Sequence, residues 1–143
     1  MINILDDIQQ YSSQLTISQV VKFFERKGLT VTKSMIQNYV RDGIMRSPVD
    51  KRYYTHKHLA NLALITILKS IYEMNAVKAV LSPLIDEEGI PLEIYELCAN
   101  TSNQLADKWQ EHLAPVFSGA EGKELLVLMA HSVDLKDEAL GRL

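Results

Sequence analysis

Twelve residues, Thr32-Lys33-Ser34-Met35-Ile36-Gln37-Asn38-Tyr39-Val40-Arg41-Asp42-Gly43, constrain this chain more than any other stretch. The Thr32 hydroxyl can accept an orphan amide of a first helical turn. Gly43 can take the left-handed conformation that ends a helix, at no steric cost. Between them Met35, Ile36, Tyr39 and Val40 recur at helical spacing, and Lys33, Ser34, Gln37, Asn38 and Arg41 occupy the opposite face. The pattern predicts a short amphipathic helix whose outer side carries amides, a hydroxyl and two cations, with no carboxylate. Amide and guanidinium groups match base edges in a major groove, and lysines and hydroxyls match phosphates.

The flanks strengthen that reading. Thr16-Ile17-Ser18-Gln19 has the spacing of a capping box, with Thr at the N-cap and Gln three residues on. The helix it opens is expected to run to about Lys27, turning Ile17, Val20, Val21 and Phe24 inward and stopping at Gly28. Two short helices joined by a tight Gly-containing turn form a helix-turn-helix unit, whose second helix reads the groove. Beyond Gly43, Pro48 and the strand-like Tyr53-Tyr54-Thr55 exclude further helix. Two extended pieces around Ser47-Pro48-Val49-Asp50 predict a small hairpin, with Lys51 and Arg52 near its returning arm. A hairpin bearing cations beside a groove-reading helix is a wing, suited to phosphate or the minor groove.

Charge is partitioned the same way. From Thr16 to His58 nine cations face three carboxylates, a net of +6, while the remainder holds six cations and fifteen carboxylates, a net of −9, so the whole is −3. One end of the molecule is fit for a polyanion despite the acidic total.

The rest of the chain is read as support. Residues 1–14 carry a weak apolar pattern (Ile4, Leu5, Ile8, Tyr11) that predicts a short helix on the head. Thr55 caps a helix of about His56 to Tyr72, apolar nearly all round through Leu59, Leu62, Leu64, Ile65 and Leu68. Such a helix is buried on both sides, one by the head and the other by the tail or a second subunit. Asn75 is the expected cap of a short helix holding Val77, Val80 and Leu81, which Ser82-Pro83 ends. Asp86-Glu87-Glu88-Gly89-Ile90-Pro91 reads as a hinge. After it, Ile94, Leu97, Cys98, Thr101, Leu105, Trp109 and Leu113 predict one amphipathic helix over about 92–113. Pro115 and Ser118-Gly119 break the pattern, and a second helix follows over about 120–133, with Leu125, Leu128, Met129 and Val133. Residues 135–141 are expected to add a short turn.

Other chemistry finds little to work with. The one cysteine, Cys98, has no intramolecular disulfide partner and lies on an apolar stripe without nearby ligands, so a reducing interior is expected. No stretch approaches the roughly 18 apolar residues of a membrane span, and the N-terminus lacks a signal-peptide pattern. These features predict a cytoplasmic protein. His56 and His58, two residues apart, do not face each other as a metal pair. No phosphate-binding glycine loop, nucleophile elbow or zinc motif is present, so neither an enzyme nor a cofactor is expected.

At Tyr39, Asp42-Gly43-Ile44-Met45, Pro48, Arg52-Tyr53-Tyr54 and Leu59, with Met74-Asn75-Ala76-Val77 further on, residues 15 to about 82 resemble the head of MerR-type transcription regulators. Arg52 and Tyr54 occupy that family's wing Arg and Tyr positions. Within the superfamily, Thr-Lys-Ser-Met-Ile-Gln-Asn-Tyr-Val resembles a bacterial family of unknown function, over the whole chain. The chain departs from the MerR pattern in its short wing, in Gln37 and Asn38 where Arg and Tyr are usual, and in its two acidic tail helices. The resemblance implies DNA binding, and the departures leave sensing of a small-molecule effector unsupported.

The expected architecture is mainly α: a MerR-like winged helix-turn-helix head over 1–82 and a helical dimerisation or regulatory region over 83–143. The expected partner is duplex DNA, bound by a homodimer. Lys33, Ser34, Gln37, Asn38 and Arg41 would face the groove, and Thr16, Lys51, Arg52 and Tyr54 the backbone. Two other readings stand beside it. One is a protein-interaction adaptor using the acidic tail; the other is an effector-gated sensor with a pocket among Tyr95, Cys98, Trp109, Leu62 and Ile65.

Overall fold

The protein is seen in a computed structural model that describes residues 4–108, 111 and 122–143. It is mainly helical. In chain order the described elements are α1 (Leu5–Ile8), α2 (Ile17–Arg26), α3 (Lys33–Arg41), α4 (His56–Leu68), α5 (Met74–Leu81), α6 (Leu92–Lys108) and α7 (Gly122–Gly141). Strand pairing among the described residues is limited to two antiparallel bridges, Leu15 with Tyr54 and Val49 with Tyr53. The chain divides into two compact units, Met1–Ala99 and Asn100–Leu143.

In the first unit α4 is the axis of the core. Eight consecutive residues, His58 through Ile65, are buried. Ile4 and Ile8 around α1, Val20, Phe23 and Phe24 of α2, Ile36 and Tyr39 of α3, and Val77 and Leu81 of α5 join the same apolar cluster. Ile85, Ile90, Tyr95 and Ala99 complete it. The aromatic part is tightly specified: Phe23 stands edge-on to both Tyr11 and Phe24, with centroids 5.5 and 5.3 Å apart.

Several expectations are corrected. The first unit runs to Ala99 rather than ending near 82, because the start of α6 supplies core residues. The 86–91 stretch is no hinge. The Asp86 carboxylate accepts the amides of Glu88 (3.0 Å) and Gly89 (3.2 Å) and pairs with Lys57 at 2.6 Å. The second side of α4 is covered within this unit, so residues 58–65 offer no surface to a second subunit. Glu73, not Asn75, is the N-cap of α5. α4 ends at Leu68, and 135–141 continues α7 instead of forming a separate turn.

In the second unit α7 is 20 residues long. Leu126, Val127, Met129, Val133 and Leu135 on it are each more than half exposed. Trp109, Leu113, Pro115 and Ser118-Gly119 lie outside the described residues, as do the side chains of Leu105, Leu125 and Leu128. Among the described residues no helix is long and apolar enough to cross a membrane.

Candidate functional site

The site is assembled from α2, α3 and the hairpin. Thr16 starts α2 by accepting the Gln19 amide at 3.4 Å, and the Gln19 side chain returns the bond to the Thr16 amide at 2.9 Å. Thr32 starts α3 by accepting the Met35 amide at 3.1 Å. Ile36 and Tyr39 of α3 turn into the core, and Met35 and Val40 are half-buried. That leaves Lys33, Ser34, Gln37, Asn38 and Arg41 exposed together on the outer side. Gly43, at φ 80°, then folds the chain back, and the Tyr39 carbonyl accepts the amides of both Ile44 and Met45 at 3.2 Å.

The hairpin follows. Val49 and Tyr53 exchange both backbone bonds, at 2.7 and 2.9 Å, and the Arg52 amide closes the turn on the Val49 carbonyl at 3.0 Å. The two central residues of that turn, Asp50 and Lys51, have φ of 53° and 58°, so both are left-handed within a three-residue loop between the paired Val49 and Tyr53. Lys51 therefore sits at the tip, and the turn falls later than the Pro48-Val49 centre expected from sequence. Tyr54 exchanges bonds with Leu15, at 2.7 and 3.0 Å, so the returning arm is pinned beside the start of α2.

Between these elements lies an open groove of about 360 Å³, lined by Ile17, Gln37, Val40, Pro48, Lys51, Arg52 and Tyr54. Its apolar surfaces come from Ile17, Val40 and Pro48, and its polar groups from Gln37, Lys51 and Arg52. Arg52 is held over the Tyr53 ring at 5.4 Å, which orders a long side chain that is otherwise exposed. Of the nine residues expected to form the site, Gln37, Lys51, Arg52 and Tyr54 converge on this groove. Lys33, Ser34, Asn38 and Arg41 lie on the exposed side of α3 outside its lining, and Thr16 adjoins the lining residue Ile17. Tyr54 alone of the nine is buried, at 5% exposure, against His58. Burial raises its phenol pKa above the ordinary value. It supports the hairpin more than it presents a surface.

The structure also sorts the cations of the basic stretch. Lys27 pairs with Asp7, Lys57 with Asp86, and Arg46 donates to the carbonyls of Asp86 (2.8 Å) and Ile85 (3.5 Å). Arg41 meets the neighbouring Asp42 carboxylate at 3.7 Å, with both side chains mostly exposed. Lys33, Lys51 and Arg52 have no carboxylate partner among the described residues. Lys22 and Arg26 on α2 likewise have none, Arg26 donating instead to the Tyr11 hydroxyl at 3.1 Å, so these cations without a carboxylate lie on α2, at the start of α3 and on the hairpin.

Three supporting residues escaped the sequence reading. His58 accepts the Thr55 amide on Nδ1 at 3.0 Å and donates Nε2–H to the Ser47 carbonyl at 2.9 Å, which sets a neutral tautomer. Burial holds its pKa below the usual imidazole value, against smaller opposing pulls from the Ser47 carbonyl and the Glu88 carboxylate. Asn61, fully buried, donates Nδ2 to the Ile44 carbonyl at 2.9 Å. Arg46 is the third. The Thr55-x-x-His58 spacing, a capping-box variant, was the one signal available for His58. Tyr95, placed by sequence in an effector pocket, is instead fully buried, and burial pushes its phenol up to about 12. No group of three or more His, Cys, Asp or Glu among the described residues is arranged to hold a metal ion.

The core is built from helices, and the exposed amide-and-cation face of α3 lies beside a short cationic hairpin. The chain belongs to the family described as a domain of unknown function, DUF1836, whose profile matches residues 5–98. The match coincides closely with the first compact unit, so the candidate site lies within the family's own domain. None of the curated proteins matches the chain, and no solved structure does.

Proposed function

We propose that this protein is a dimeric DNA-binding transcription regulator with a MerR-like winged helix-turn-helix head. α3 enters the major groove, and the hairpin over Val49–Tyr53 acts as the wing on the adjacent backbone. The observation that carries the reading is the groove between them, where Gln37 of α3 meets Lys51 and Arg52 of the hairpin. A carboxylate-free helix face next to unpaired cations suits a polyanion whose base edges offer donors and acceptors. The homodimer rests on α7, whose Leu126, Met129 and Val133 recur at helical spacing and are 66%, 67% and 53% exposed. Apolar side chains exposed in such a row mark an interaction surface. A two-fold dimer doubles the footprint on DNA. The place of action is the cytoplasm.

Retention on duplex DNA across a salt series tests the reading. With roughly four to six phosphate contacts per dimer, log affinity should fall with log salt at a slope of about −0.9 per contact. Affinity that is flat with salt, or undiminished when Lys33, Lys51 and Arg52 are all replaced by alanine, overturns it. That outcome would favour the adaptor reading, for which the exposed face of α7 is the supporting observation.

A further inference from the structure

The arm from Ile44 to Val49 joins α3 to the hairpin tip, yet its backbone pairs with the returning arm only at Val49. Its start is bonded back to α3 through the Ile44 and Met45 amides on the Tyr39 carbonyl, and side chains hold its own carbonyls. Asn61 and His58, one turn apart on α4, take the carbonyls of Ile44 and Ser47, each at 2.9 Å. These two bonds tie the arm to a buried helix. Between them, Arg46 reaches the other way, to the 85–90 turn, where its guanidinium donates to the Asp86 carbonyl at 2.8 Å and the Ile85 carbonyl at 3.5 Å.

That turn is built to present those carbonyls. The Asp86 amide donates to the Gly89 carbonyl at 2.9 Å, and the Asp86 carboxylate gathers Lys57 and the amides of Glu88 and Gly89. The Lys57 ammonium and these amides hold the carboxyl down at about 2, so the charge is present throughout the physiological range. Gly89, at φ 146°, lies so close to α4 that a Cβ there would meet the Lys57 carbonyl oxygen at 2.7 Å. The turn then leads through the fully buried Ile90 into α6, which Tyr95 anchors in the same core.

We propose that Arg46 is a positioning residue for the hairpin, coupling its placement beside α3 to the Asp86 turn at the head of α6. In its consequence for DNA the proposal rests on the reading of the hairpin as a wing. A planar fork can span two successive carbonyls, which a lysine ammonium cannot do with the same geometry. Arg46 thus belongs to the basic stretch by sequence while its guanidinium, at an exposed position, is bonded to the backbone of the Asp86 turn. A shift of α6 moves the turn, and through Arg46 the arm.

The test uses the full chain and begins without DNA. Amide hydrogen exchange is measured at Val49 and Tyr53, whose amides pair across the hairpin, and at Val20 in α2 as a control. Arg46→Met should speed exchange at Val49 and Tyr53 about tenfold, the loss of one charge-assisted bond, and leave Val20 unchanged. Arg46→Lys should restore less than half of the protection. Asp86→Asn should speed the same two amides, and the double variant should add little to either single one, because both break one linkage. Unchanged hairpin exchange, an equal rise at Val20, or full additivity overturns the proposal. In DNA retention, Arg46→Met should weaken binding several-fold with the salt slope unchanged, and loss of about one unit of slope would make Arg46 a phosphate contact instead. If the protein retains no DNA at all, the wing reading fails while the exchange result still decides the coupling.

Discussion

His58 Nε2 and the Ser47 carbonyl oxygen lie 2.9 Å apart, and this bond, spanning eleven residues of sequence, fastens the first arm of the hairpin to the core helix. What depends on pH is the bond at the other ring nitrogen. With Nδ1 accepting from Thr55, protonation places a second hydrogen where a donor already points. The folded state therefore holds the imidazole below its ordinary value of 6.5, chiefly through burial. A group whose pKa is depressed on folding in this way favours the neutral form, so its contribution is present above 6.5 and is lost as pH falls below it. Urea unfolding should show stability dropping from pH 7 toward pH 5. In His58→Gln the drop should be smaller, while stability at pH 8 should be lower by about 1–3 kcal/mol for a disrupted buried bond. An identical pH dependence in the two proteins would remove His58 from this role.

Gly89→Ala should be among the most damaging single changes in the molecule. The added methyl meets the Lys57 carbonyl oxygen at 2.7 Å, and the backbone sits at φ 146°, where side chains are strained. Overpacking and backbone strain together predict a loss of about 2–4 kcal/mol. Chemical denaturation at neutral pH measures it, and a loss under about 0.5 kcal/mol would show that the turn can move off α4 freely.

Lys51→Gly should separate stability from binding. Lys51 holds φ 58° at the hairpin tip, a conformation that costs a residue with a Cβ about 1 kcal/mol. Glycine relieves that cost, offset in part by its greater freedom when unfolded. The variant should unfold at equal or higher urea yet bind DNA more weakly, with about one unit less salt slope.

Reading and anchoring divide between α3 and the hairpin. Gln37 and Asn38 are exposed at the middle of α3, and each amide can make a bidentate contact to adenine. Gln37→Ala or Asn38→Ala should reduce affinity for the preferred site by about 1–3 kcal/mol and leave random DNA nearly unaffected. Arg52→Ala should weaken both alike and flatten the slope by about one unit. Equal effects of the α3 variants on specific and random DNA, with stability unchanged, would move the reader elsewhere.

Light scattering at micromolar concentration should give twice the 16.2 kDa chain mass. Met129→Glu, on the exposed row of α7, should shift the population toward the single chain without altering the unfolding of the first unit. A wild-type protein that is already 16.2 kDa in solution would refute the dimer.

Local chemistry made the starting points legible. Thr16, Thr32 and Gly43 act within a turn or two of the chain, so the starts of α2 and α3, the end of α3 and its exposed polar side follow from nearest neighbours alone. The helical character of the tail was readable for the same reason, since apolar periodicity is a local signal. What depended on residues far apart could not be read this way. Asp86-Glu87-Glu88-Gly89 has the composition of a solvated hinge, and only the arrival of Lys57 and the close backbone of α4 turn it into a locked junction. Arg46 and Arg52 are alike in sequence, but one is spent on the Asp86 carbonyl and the other borders the groove. Tyr54 looked like a surface contact until its pairing with Leu15 and packing on His58 drew it inside. A side chain's type sets which bonds it can make, and the fold decides which partner comes within 3 Å.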